Sequence, residues 1–85
     1  MKKVNILIVE DEVDIREGVS EYLSEVGYNV ISAEDGMQAI EIFNKNKFDL
    51  VILDIMLPKA NGFIVLNKIR EESNVPVIML TAMSD

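Results

Sequence analysis

Short apolar runs alternate along the chain with segments whose apolar positions recur every three or four residues, the arrangement of successive parallel β-α-β units. Asn5-Ile6-Leu7-Ile8-Val9 is apolar on both faces and predicts a first strand. Ile15, Val19, Tyr22, Leu23 and Val26 then recur at helical spacing, and Gly27 supplies a C-terminal stop. Asn29-Val30-Ile31-Ser32-Ala33 predicts a second strand, polar enough for a sheet edge. Asp35 is placed to cap a second helix, with Met37, Ile40 and Phe43 on one face. Asp49-Leu50-Val51-Ile52-Leu53 is the most apolar run and predicts a central third strand, which Asp54 ends. A loop from Ile55 to Gly62 contains Pro58 and the turn pair Asn61-Gly62. A third helix follows with Phe63, Leu66 and Ile69 inward, and Pro76 opens a fourth strand, Val77-Ile78-Met79-Leu80, ending in Thr81.

These elements predict one α/β domain over residues 1–85, an open parallel sheet with three helices. With strand order 2-1-3-4, right-handed crossovers place helix one on one face and helices two and three on the other. Strands three and four are then uncovered on the helix-one face, and strand four has a free edge. A parallel sheet ordinarily has both faces covered, so the expectation is a domain lacking its C-terminal side.

Composition narrows the chemistry. Eight basic against fifteen acidic residues give a net charge of −7, which disfavours binding to nucleic acid and to anionic membranes. The chain has no cysteine and no histidine. Disulfides, thiol nucleophiles, thiolate zinc sites, Ser–His–Asp catalysis and histidine-ligated metals are thereby excluded. Carboxylates, hydroxyls, lysine and hard oxygen-bound metals remain. No apolar run approaches the ~18–20 residues of a membrane span. The apolar stretch after Met1-Lys2-Lys3 is too short for a signal peptide and ends at Glu10-Asp11-Glu12, so the expected location is cytoplasmic.

Ligands of open parallel sheets bind beyond the carboxyl ends of the strands, where the strand order reverses. Glu10 and Asp11 follow strand one, Asp54 follows strand three and Thr81 follows strand four, with no obvious basic neighbour. Two carboxylates ~4 Å apart repel by about 4 kcal/mol at an effective dielectric near 20. A cation or a proton must neutralise such a group, and a hard oxygen site with several waters suits Mg²⁺. Plainer readings exist for each residue. Acids in the first turn of helix one stabilise its dipole, Thr81 is a good strand former, and Met56 and Met79 suit loop and core packing. Asp54 resists such a reading, because Val51-Ile52-Leu53 and Ile55-Met56-Leu57 flank it.

Four blocks together resemble the receiver domain of two-component response regulators: Ile8 to Glu12, Leu50 to Pro58, Asn61-Gly62 and Leu80-Thr81-Ala82. The resemblance runs from Val4 to Ala82 and implies a flavodoxin/receiver-like fold. It implies that Asp54 accepts a phosphoryl group from a phosphohistidine on a sensor histidine kinase. It implies Asp11 as a direct Mg²⁺ ligand, Glu10 as a ligand through water, and the Met56 backbone carbonyl completing the metal shell with Asp54. Thr81 matches the hydroxyl that turns toward the phosphoryl group, beside the Ala82 backbone N–H; Pro58 and Gly62 match the loop that shapes the site. A receiver of this kind promotes its own phosphorylation and is not a turnover enzyme. The family also has a fifth strand with a phosphoryl-pairing lysine and two further helices, and this sequence ends at Asp85. The resemblance therefore implies a receiver without β5 and the last helices, with weakened phosphorylation. Two alternatives stand beside it. One is a phosphorylation-incompetent fragment that self-associates or complements another chain through its uncovered sheet face or strand-four edge. The other is a Mg²⁺-dependent aspartyl phosphohydrolase, disfavoured because Met56 stands where a second acid is usual.

Overall fold

The computed structural model describes residues 3–57 and 61–80. Its elements are β1 (Asn5–Val9), α1 (Val13–Val26), β2 (Asn29–Ala33), α2 (Gly36–Lys45), β3 (Leu50–Asp54), α3 (Gly62–Glu72) and β4 (Val77–Leu80). The four strands form one parallel sheet, as the alternation predicts, in the order β2-β1-β3-β4 that the receiver resemblance implies. Asp54 is the last residue of β3 rather than the residue after it. Asp49 lies outside the strand, where its Oδ2 accepts from the Asn5 N–H at 2.8 Å and its own N–H donates to the Asn5 carbonyl.

Side chains alternate across each strand. Leu7, Val9, Val51 and Leu53 point into a core shared with Ala39 of α2 and Val65 and Ile69 of α3. Phe43 and Phe48 close this core as a stacked pair with ring centroids 6.1 Å apart. Ile6 and Ile8 alternate with Leu7 and Val9, so they face the opposite side; both are buried, and α1 packs against β1 and β2.

The helix ends follow local chemistry. Gly27 ends α1 at φ 121°, a conformation costly for any residue with a Cβ, and its N–H donates to the Leu23 and Ser24 carbonyls. Asp35 caps α2 by accepting from the Gln38 N–H at 2.8 Å, and Asn61 caps α3 by accepting from the Phe63 N–H at 2.7 Å. Arg70 fastens the α3–β4 connection, donating to the Val75 carbonyl at 2.6 Å and the Ser73 carbonyl at 3.3 Å.

Three helix faces differ from the sequence reading. Met37 is 68% exposed, whereas Ile40 and Phe43 pack against the core as predicted, beside the buried Gly36 and Ala39 of α2. Phe63 is exposed, whereas Ile69 is buried and Leu66 packs against the core as predicted; Gly62 and Val65 are the further inward positions, because the α3 backbone must lie close to the end of β3. On α1, Ile15, Tyr22 and Val26 are exposed and no residue is fully buried. Among the described elements that helix packs chiefly on β2 and β1, which leaves part of its apolar stripe facing water.

Candidate functional site

β1 and β3 are neighbours at the centre of the sheet and end side by side, with Val9 opposite Leu53. The residues that continue them bring Glu10, Asp11 and Asp54 together, with one carboxylate oxygen of each within 4.8 Å of the others. Glu10 and Asp54 are buried and Asp11 is exposed. Glu10 is carried inward because its N–H extends the ladder, donating to the Ala33 carbonyl at 3.1 Å. Its Oε2 accepts from the Glu12 N–H at 3.0 Å. Asp54 Oδ1 accepts from the Met56 N–H at 3.0 Å, which orients the carboxyl against the following loop. Ile15, Met56 and Leu80 line the same depression.

Burial pushes the Glu10 carboxyl above the ordinary glutamate value of 4.5, because an ion there loses water. The Glu12 N–H opposes this shift, and the Asp54 charge and hydrogen bonding to the Asp54 and Asp11 carboxyls add to it. Three oxygen donors, two of them buried, crowd a position where negative charge is already costly. This donor set fits a hard divalent cation such as Mg²⁺, with Glu10, Asp11 and Asp54 as the residues that would hold it.

Met56, read as the carbonyl ligand, has an exposed side chain and lies in the loop directly after β3. Gly62 is the first residue of α3, and its N–H donates to the Ile55 carbonyl at 2.9 Å. Pro58, Thr81 and Ala82 lie outside the described residues.

The sequence reading missed Arg16. Its Nη1 donates to the Glu10 carbonyl at 2.9 Å and reaches the Asp11 carbonyl at 3.4 Å. The acid cluster therefore does have a basic neighbour, bonded to its main chain. A signal was available: arginine opposes the dipole near a helix N-terminus, and helical side chains lean toward that end. An arginine four residues after Glu12 is thus placed to reach back over the loop.

The family model for the response regulator receiver domain matches residues 6–85. This chain belongs to the response regulator receiver domain family. Among the receiver's relatives is a probable transcriptional regulator, ycf27, of Porphyridium aerugineum, 49% identical over 85 residues, covering 100% of this chain and 35% of that protein. Response regulator RR06 of Streptococcus pneumoniae is 44% identical over 82 residues, covering 96% of this chain and 38% of that one. The receiver thus spans about a third of the length of these curated relatives. Among solved structures, the chemotaxis protein CheY4 of Vibrio cholerae superposes with a TM-score of 0.93 at 33% identity, covering 99% of this chain and 72% of that chain. The response regulator protein TrrA of Thermotoga maritima, in complex with Mg²⁺-BeF, superposes at 0.87 with 43% identity, covering 95% and 71%.

Proposed function

We propose that this receiver accepts a phosphoryl group on Asp54 from the phosphohistidine of a sensor histidine kinase, in a reaction that depends on Mg²⁺. The supporting observation is the convergence of Glu10, Asp11 and Asp54 at the carboxyl ends of the two central strands. A carboxylate oxygen of Asp54 attacks phosphorus; the new O–P bond forms as the P–N bond to the donor imidazole breaks. The Met56 N–H holds the Asp54 carboxyl in one orientation for that attack. Glu10, Asp11 and Asp54 would hold the cation, with the Met56 carbonyl assigned by resemblance. When bound there, Mg²⁺ would supply positive charge against the phosphoryl oxygens. Thr81 and Ala82 are assigned by resemblance to the phosphoryl side of the site, and Pro58 and Gly62 to the loop that shapes it. The complex of TrrA with Mg²⁺-BeF supports a metal-assisted reading in a relative of this similarity.

A phosphohydrolase reading has less support, because Met56, two residues after Asp54, offers no second carboxylate. Self-association of the 85-residue chain is a separate proposal, supported by the half-exposed Ile78 on the outer strand β4.

The test is incubation with Mg²⁺ and a small phosphoryl donor such as acetyl phosphate, read by intact mass beside Asp54→Asn. One hydroxylamine-labile phosphoryl adduct that needs both Mg²⁺ and Asp54 is the expected result. No adduct in the wild-type chain, or one that persists in Asp54→Asn, would overturn the reading.

A further inference from the structure

We propose that Arg16 is a positioning residue for the divalent-cation site, holding the loop that carries Glu10 and Asp11; this rests on the reading of that acid cluster as a metal site. The Arg16 guanidinium donates to two consecutive carbonyls of the acidic loop, those of Glu10 and Asp11 at 2.9 and 3.4 Å, while its backbone N–H makes the first-turn helical bond to the Glu12 carbonyl at 2.9 Å. One half-buried side chain on α1 thus ties both ligand-bearing residues to the helix.

The choice of oxygens is the informative part. Three carboxylates make up the cluster, yet the hydrogen bonds of the Arg16 side chain go to main-chain carbonyls. A guanidinium paired with the carboxylates would compete with a metal for its ligands. Bound to the backbone behind them, it fixes the ligand-bearing residues and leaves their side-chain oxygens for the cation. The Glu12 N–H then holds Glu10 Oε2 from the other side, so the loop is braced at both main chain and side chain.

Two effects of removing Arg16 have opposite signs, and this makes the proposal testable. Loss of a nearby positive charge strengthens attraction of a dication. Loss of loop positioning weakens it, by the tenfold or more typical when a group that orients metal ligands is removed. Positioning is expected to prevail, because Arg16 acts through direct hydrogen bonds to the two ligand-bearing residues. Lysine keeps the charge but is one bond shorter and lacks the planar fork, so Arg16→Lys should fall between wild type and Arg16→Gln.

The experiment measures Mn²⁺ affinity by electron paramagnetic resonance for the wild-type chain, Arg16→Lys and Arg16→Gln. Amide hydrogen exchange is followed in the metal-free proteins, and metal-free melting is the control for folding. The expected result is about tenfold weaker Mn²⁺ binding in Arg16→Gln, a smaller loss in Arg16→Lys, and faster exchange at the Glu12 N–H while Leu7 and Val51 stay protected. Unchanged or tighter Mn²⁺ binding in Arg16→Gln would overturn the proposal, and Arg16→Lys decides it alone should Arg16→Gln not fold. A wild-type chain that binds no Mn²⁺ would overturn the metal reading instead. Exchange at Glu12 then decides whether Arg16 holds the loop: faster exchange in the variants supports it, and unchanged exchange overturns it.

Discussion

Gly62 lies directly against the backbone of Asp54: a methyl group on its Cα would sit 2.6 Å from the Asp54 carbonyl oxygen and 2.6 Å from the Ile55 Cα. Both neighbours are main chain, so neither can rotate away. Any side chain here must push α3 off the end of β3, and Asp54 with it. Gly62→Ala should therefore destabilise the fold by roughly 1–3 kcal/mol, the usual cost of overpacking, as measured by urea unfolding. Gly18→Ala, with open space around it, is the control and should be neutral or stabilising.

Crowding of carboxylates at the site predicts stabilisation by metal. Mg²⁺ should raise the melting temperature, by the equivalent of about 2.7 kcal/mol at one hundred times its Kd, and EDTA should reverse the rise. Asp11→Asn removes one donor and should cut the Mg²⁺ response sharply. An undiminished response in Asp11→Asn would place the metal elsewhere.

Glu10 should give the metal-free chain a distinctive pH dependence. Its folded carboxyl holds a proton more tightly than the unfolded one, so the folded state carries more protons as pH rises from the ordinary value of 4.5 through the raised value. Stability at this group is lost across that window and does not return above it. Glu10→Gln should therefore melt above wild type at neutral pH in EDTA. The difference should shrink toward acid pH, where wild-type Glu10 is protonated, and thermal melts at stepped pH would reveal it.

Self-association should depend on β4. Ile78 is 50% exposed on an outer strand of the sheet, an arrangement that invites pairing with another edge. The 85-residue chain should scatter light as a dimer or larger at tens of micromolar, and Ile78→Lys should shift it toward monomer. A monomeric wild-type chain at that concentration would refute this.

Much of the fold was legible in the sequence because its signals are local. Five-residue apolar runs bounded by turn residues mark strands, and Gly27, Asp35 and Asn61 act on backbone groups within a few positions of themselves. The acid cluster was legible for a related reason. Once the runs Ile6 to Val9 and Val51 to Leu53 are central parallel strands, the acids that end them must share one edge of the sheet. What lay beyond the sequence depends on where elements sit over one another. Met37 and Phe63 have the same polarity as the residues that turned inward, and only the placement of α2 and α3 on the sheet decides which of them meets water. Gly62 reads as a turn residue, and its real constraint is a neighbouring backbone eight positions earlier. Burial of Glu10 and the reach of Arg16 back to its carbonyl likewise exist only once α1 is set against the end of β1. Chemistry carried by residue type and strand position was written in the chain; orientation, desolvation and close approach came from packing, which no local pattern encodes.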